Sequence, residues 1–387
     1  MKIPYGKQNI NENDIESVCE VLRSDWLTQG PSVEIFEKTA IDHCGAKFAC
    51  AVNSATSALH LACLALGLGK NDCLWTVPNT FVASANCALY CGAKVDFVDI
   101  NSNTLNMCPQ KLEEKLHNAK KIGCLPKIVV PVHFAGLSCD MRAIHKLSLE
   151  YGFKIIEDAS HAIGGSYFDQ PIGSCYFSDI TIFSFHPVKI ITTGEGGMAL
   201  TNNSDLAHKM SLLRTHGITR DSDFMTDSSA GGWFYEQIDL GLNYRMTDIQ
   251  ACLGTSQLSR LELFVGSRNK LAERYLNTLK ELPISFQKIP KKSYSAFHLF
   301  VINLQNEDHI KKRQVIFDYL RKSGIGVNVH YIPVHTHPYY KSMGYNWGDY
   351  PISEKYYNSA LSLPMFSSLT DEEQDYVAKH LRISLDL

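Results

Sequence analysis

The chain has 387 residues, 45% hydrophobic and 20% charged, the make-up of a globular protein long enough for two domains. Its 37 lysines and arginines nearly offset 40 aspartates and glutamates, and a net charge of −3 gives no electrostatic reason to bind nucleic acid or an anionic membrane. No run approaches the roughly 18 apolar residues of a spanning helix, and the opening MKIPYGKQNINENDIE lacks the apolar centre of a secretory signal, so a cytoplasmic protein is expected.

In chain order, β-like runs alternate with helical segments from about residue 47 to about 201. FACAVN is followed by SATSALHLACLALGLG, whose apolar spacing and closing glycines predict a helix with its C-cap. LWTVP precedes the helical TFVASANCALYCGA, and KVDFVDI comes next. PKIVVPVHF leads into the helix MRAIHKLSLEYG, followed by FKIIEDAS, DITIFSF and GGMALTN. Strands separated by helices predict a mostly parallel sheet covered on both faces. A polar, glycine-containing stretch from Asp221 to Gly241 breaks this rhythm. One long helix, from about Met246 to Leu282, is predicted to link a large domain (residues 1–245) to a smaller α+β domain (residues 246–387). The latter holds SAFHLFVINL, the helix IKKRQVIFDYLRKSG, the strand-like IGVNVHYI and a last helix, DEEQDYVAKHLR. The 12 cysteines are scattered without a CxxC pair; Cys87 and Cys91 fall in an apolar helical stretch, so they read as small buried hydrophobes.

Open parallel sheets bind ligands beyond the carboxyl ends of their strands, and four such ends carry unusual groups. Asn53-Ser54-Ala55-Thr56-Ser57 lies between a strand and a helix, where small hydroxyl residues are ordinary N-caps and also donors able to hold a phosphate. Neither GxxxxGK[ST] nor a GxGxxG after a strand occurs, which argues against a P-loop or a dinucleotide fold. Asp158, ending IIEDASH, either caps the next helix or holds a positively charged ring nitrogen. That attraction is on the order of 4 kcal/mol at ~4 Å and an effective dielectric of about 20, and it would keep a cofactor pyridine protonated. Lys189 follows one strand later in SFHPVK, ahead of the glycine-rich IITTGEGG. A lysine there is either a solvated surface group or a desolvated, nucleophilic amine. Ser184 can donate to the same phosphate, and Phe81 in Pro78-Asn79-Thr80-Phe81 is either plain core or an aromatic plate. Phosphate donors, an acid for a pyridinium, a reactive lysine and an aromatic plate together make the set that pyridoxal 5′-phosphate (PLP) requires.

On these residues the sequence resembles the sugar aminotransferases of the DegT/DnrJ/StrS family over essentially the whole chain. The matching pieces are LTQGPSVEIFE, NSATSALHLA, PVHFAG, IEDASHA, SFHPVKIITTGEGGM and LGLNYRMTDIQACLG. The resemblance implies the fold type I architecture of PLP-dependent transferases: α/β, a large domain with a mostly parallel seven-stranded sheet flanked by helices, and a smaller α+β C-terminal domain. It implies that Lys189 carries PLP and moves protons, that Asp158 partners the ring nitrogen, and that His161 sits near the ring oxygen. Thr56, Ser57 and Ser184 match phosphate ligands, and Phe81 matches the residue over the ring. Asn243 and Arg245 match a segment that reaches the phosphate of a neighbouring subunit, which implies a homodimer with shared active sites. Tyr5, His186 and His330 fall on the substrate side. The pieces IPYGKQNI, AFHLFVI, GIGVNVHYIPVHTHPYY and LSLPMF resemble a branch that aminates C4 of a UDP-linked 4-keto-6-deoxy-N-acetylhexosamine for pseudaminic acid biosynthesis, with L-glutamate as donor. A sibling enzyme acting on another UDP- or dTDP-linked 4-keto sugar is the alternative. One branch replaces the lysine by histidine and dehydrates its substrate; Lys189 implies transamination here.

Two other classes compete. His330, His335 and His337 contain an HxH metal spacing, without an acid or cysteine near them in sequence, so no metal is expected. A PLP-binding regulator without catalysis would need a DNA-binding domain or a basic face, and neither is apparent.

Overall fold

The computed structural model describes residues 1–226 and 231–386; positions 227–230, within the polar stretch between Asp221 and Gly241, lie outside the described residues. Strands β1 (Phe48–Val52), β2 (Cys73–Thr76), β3 (Lys94–Phe97), β4 (Ile128–Val129), β5 (Lys154–Asp158), β6 (Ile180–Ser184) and β7 (Gly197–Thr201) form one sheet in the order β1-β7-β6-β5-β4-β2-β3. Only β7 runs against its neighbours, so the sheet is mostly parallel, as expected.

Period-two alternation decides which helix covers which face. Leu74 of β2 and Ile156 of β5 pack with α3 (Ala55–Ala65) and α4 (Ala83–Tyr90), while the adjacent Trp75 and Ile155 pack with α5 (Pro109–Lys121) and α6 (Met141–Tyr151). β6 and β7 are buried along their whole length, the mark of strands covered on both sides. Local chemistry sets the helix ends. Asp140 accepts the amide hydrogen of Ala143 at the start of α6, and Gly152 takes φ 81° at its end, a left-handed turn that glycine adopts without strain.

The single linking helix expected from Met246 to Leu282 is instead two helices, α8 (Asp248–Leu258) and α9 (Leu261–Leu279). The break falls at Ser259–Arg260, where the Arg260 guanidinium turns to meet the buried Asp14. α8 packs against two N-terminal helices, Glu12–Arg23 and Pro31–Cys44. Beyond it, α9 covers a second body whose three antiparallel strands are Ile284–Phe286, Phe300–Leu304 and Ala360–Leu363. The strand-like IGVNVHYI forms only isolated bridges, Ile3 with Ile325 and Asn328 with Ser362. The first residues of the chain lie across it: Gly326 donates to the Ile3 carbonyl at 2.6 Å, and Ile3 belongs to the core of the second body.

All the cysteines are free thiols, and half of them are buried. Cys91 departs from the bland expectation, because a hydrogen bond from Cys63, and next His60, pulls its thiol below the ordinary range. No helix among the described residues is long and apolar enough to cross a membrane.

Phe36 is fully buried, lies edge-on to Phe185 at 5.1 Å and fills the space left by Gly254 of α8. Phe185 in turn anchors the loop that carries Lys189, accepting at its carbonyl from Thr192 and Thr193. Phe36→Ala is expected to cost about 3–5 kcal/mol, read as a lower urea midpoint with an unchanged slope.

Candidate active site

A cavity of about 1010 Å³ opens where β1, β2, β5 and β6 end, at their carboxyl edge. Helix α3 aims its N-terminus into it. Ser54 caps the helix by accepting from the Ser57 amide at 3.1 Å, and the Ser57 hydroxyl donates to Asn53 at 2.6 Å. The amides of Ala55 and Thr56 and the Thr56 hydroxyl have no partner among the described residues. That leaves an anion cradle of unpaired donors at the positive end of a helix. Gly197 is required beside it, because a Cβ there would come within 2.4 Å of the Ala55 nitrogen.

Asp158 ends β5 and is 5% exposed. It accepts from the Ser84 hydroxyl at 2.6 Å and from the Ser160 amide at 3.1 Å, and Thr80 lies 2.8 Å behind Ser84. It forms no ion pair with any described side chain, so its charge is held by hydrogen bonds alone. Lys189 follows a tight turn after β6, its amide donating to the His186 carbonyl at 2.8 Å. Desolvation lowers its amine from the ordinary 10.5 to about 8, against the opposing charge of Asp158. Two strand ends thus bring to one cavity a carboxylate and an amine that gives up its proton more readily than a free lysine.

The remaining wall is aromatic. His161, His298, His330 and Tyr331 line it, with the rings of His161 and His298 4.4 Å apart. Burial, then the charges of Lys189 and His330, holds His161 far below the usual histidine range. Burial, then Lys189, lowers His330 to about 4, and its Nδ1 lies 2.8 Å from the Ser362 hydroxyl. His298 is oriented through its carbonyl, which accepts from the fully buried Arg268 at 3.2 Å.

Of the residues expected from sequence, the cavity gathers Lys189, Asp158 and His161 with Thr56, Ser57 and Ser184. Phe81, Tyr5, His186 and His330 stand around the same space. Asn243 and Arg245 do not line it within one chain. They run beside its rim, where the Asn53 side chain donates to the Asn243 carbonyl and Arg245 bridges Val52. Sequence reasoning missed Ser84, Thr80, Tyr331 and His298. A serine and a threonine one turn apart in an otherwise apolar helix start were the only signal for the first pair. Of the histidines in the HxH spacing, His335 pairs with Glu354 at 2.9 Å, and no cluster of three or more potential metal ligands occurs among the described residues.

The donor set suits PLP at both ends. The α3 amides and Thr56 match a phosphate, Asp158 without a cationic partner matches a protonated ring nitrogen, and the Lys189 amine, lowered to about 8, matches an aldehyde.

Because Lys189 binds its proton more weakly when folded than when unfolded, the unfolded state holds more protons between pH 8 and 10.5. The amine therefore opposes folding below pH 8, and that cost fades as pH rises through the window. Ligand-free Lys189→Met is expected to show a higher urea midpoint than the native chain at pH 7. The difference should shrink toward zero by about pH 10.5; a difference that is flat with pH would contradict the lowered value.

Residues 8–382 match the DegT/DnrJ/EryC1/StrS aminotransferase family. The spore coat polysaccharide biosynthesis protein SpsC of Bacillus subtilis is 39% identical over 98% of this chain and 96% of its own. The UDP-4-amino-4,6-dideoxy-N-acetyl-beta-L-altrosamine transaminase of Campylobacter jejuni is 38% identical over 97% of this chain and 95% of its own. Among solved structures, Helicobacter pylori PseC, an aminotransferase involved in the biosynthesis of pseudoaminic acid, superposes with a TM-score of 0.90 at 30% identity and full coverage of both chains. The chain belongs to the DegT/DnrJ/EryC1/StrS family of PLP-dependent sugar aminotransferases.

Proposed function

We propose that this enzyme transfers the amino group of L-glutamate to C4 of UDP-2-acetamido-2,6-dideoxy-beta-L-arabino-hexos-4-ulose, a step toward pseudaminic acid. The observation that carries the reading is the Lys189 amine, lowered by burial to about 8, and the Asp158 carboxylate in one cavity of about 1010 Å³, which extends past Tyr5 and His330. That volume is at the upper end for one ligand, leaving space for a sugar beside a cofactor. The likeness to the Campylobacter jejuni transaminase and to PseC supports this sugar in particular.

When bound, PLP supplies an electrophilic aldehyde and a ring that takes up an electron pair. Lys189 would hold it through its amine, which burial lowers to about 8. The same Nζ, when free, would be placed to take a proton from one carbon and return it to another. Asp158 would keep the ring nitrogen positively charged and so stabilise negative charge developing at the reacting carbon. The N-terminus of α3 and Thr56 hold the phosphate, with Ser57 and Ser184 beside them. Phe81, 60% exposed on the cavity rim, offers a flat apolar face. His186 and His330 stand on the sugar side with Tyr5.

A homodimer with shared sites completes this reading. Its support is an apolar surface close in sequence to Asn243 and Arg245: Leu240 is 82% exposed and Trp233 is 78% exposed. In the dimer, Asn243 and Arg245 would reach the partner's phosphate.

The second reading, a sibling 4-aminotransferase on another UDP- or dTDP-linked 4-keto-6-deoxy sugar, draws on the equal likeness to SpsC. Incubation with glutamate and a panel of such sugars, with NMR of the products, separates the two. The expected outcome is fastest amination at C4 of the UDP-linked sugar named above, abolished in Lys189→Ala. Amination of a dTDP sugar alone would move the assignment to the second reading. Sedimentation is expected to give a dimer that Leu240→Asp shifts toward monomer, with loss of PLP affinity at low protein concentration. A wild-type monomer that turns over fully would rule out shared sites.

A further inference from the structure

The protein's own hydrogen bonds decide which group of the aromatic wall can still donate to a ligand. The backbone N–H of Ala135 donates to Nδ1 of His161 at 3.3 Å. A backbone N–H cannot accept, so Nδ1 carries no hydrogen, and the neutral ring must keep its hydrogen on Nε2. Nε2 lies 3.0 Å from the Tyr331 hydroxyl and therefore donates to it. The tyrosine oxygen is the acceptor of that bond, and its own hydrogen is left to give elsewhere. No described residue accepts it, and the ring lines the cavity. Tyr331 is held in place from several sides. Its amide donates to the Asn79 side chain at 3.2 Å, and the rings of Phe134 and Phe81 stand 6.3 and 6.5 Å away. Burial, then the nearby charge of Asp158, raises the phenol well above its ordinary value, so it remains a donor at all working pH values.

We propose that Tyr331 is a catalytic hydrogen-bond donor of this site, aimed at an oxygen of the bound ligands, and that His161 is the positioning residue that sets its direction. The proposal rests on the sugar aminotransferase reading above. It also revises the role that resemblance suggests for His161, since both of that ring's nitrogens are already engaged. Two ligand oxygens share the required chemistry, an acceptor that carries or gains negative charge. One is the ring hydroxyl oxygen of PLP, and the other is the sugar's carbonyl oxygen. An acceptor left unmet among buried groups is costly, so loss of the donor should weaken the affected step about 10- to 100-fold.

The test compares Tyr331→Phe with the wild type as full-length chain, by PLP titration of the cofactor-free protein, by the visible spectrum of the cofactor-loaded enzyme and by kinetics with the UDP-linked sugar. Weaker PLP binding with a shifted absorption band places the acceptor on the cofactor. Unchanged binding and spectrum, with kcat for the sugar lowered and KM held, places it on the sugar. Binding, spectrum and kcat all within twofold of wild type overturn the proposal. A second pair of variants tests the direction of the relay. In His161→Gln a side-chain carbonyl can take the Ala135 N–H while the amide donates to Tyr331, so this variant should recover most of what His161→Leu loses. If His161→Leu matches wild type in PLP binding, spectrum and kcat for the sugar, His161 does not orient the phenol. Should the wild type fail to aminate the sugar, the substrate reading falls, while PLP affinity and spectrum still judge Tyr331.

Discussion

Burial of the Lys189 amine in the same cavity as Asp158 sets two forces against each other. Desolvation drives the amine toward its neutral form, and the carboxylate favours the charged one. Desolvation prevails, which makes the amine a nucleophile near neutral pH and leaves the carboxylate free for a cation brought by a ligand. The rest of the site serves that balance. Ser84 and the Ser160 amide, with Thr80 behind Ser84, satisfy the buried Asp158 by hydrogen bonds and not by a cation. A lysine or arginine in their place would quench the charge that a pyridinium needs.

The sheet makes this arrangement cheap in backbone terms. Parallel neighbours β5 and β6 end on the same edge, so a residue at the end of one and a residue in the turn after the other meet without any unusual backbone. β1 and the start of α3 supply the anion cradle at the same edge, with glycine at position 197 so that β7 can pass close beneath. The second body closes the far side through His298, His330 and Tyr331. Buried Arg268 is central there, its guanidinium spanning the carbonyls of Phe297, His298 and Met365 and so joining the strand entry to the segment after the last strand. Burial lowers even this guanidinium to about 10, the sign of a dry interior.

A neutral aromatic wall next to a reactive amine has a physical logic. Charged histidines beside Lys189 would repel a protonated intermediate state of the amine and draw in water. Held neutral by burial, His161 and His298 contribute shape and directed hydrogen bonds without charge.

The alternation of β-branched runs with amphipathic helices already determines the mostly parallel sheet, and strand-end chemistry already singles out Asp158, Lys189 and the Asn53–Ser57 cradle. These are local signals: periodicity shows which side chains are buried, and a polar residue closing an apolar strand stands out against it. Helix α5 leaves a thinner trace in the sequence, since only Leu112, Leu116 and Ala119 of its 13 residues are buried among charged neighbours. The break between α8 and α9 depends on Asp14, far away in the chain, pulling Arg260 aside. Ser84 reaches Asp158 across 74 positions and Tyr331 reaches His161 across 170, and the direction of the latter bond depends on one backbone amide at Ala135. Sequence alone specified which groups end the strands because that information is carried by neighbours along the chain. Tertiary structure alone decided which of them face one cavity, what surrounds them and which hydrogen remains free, because desolvation and hydrogen-bond direction are set by groups that sequence leaves far apart.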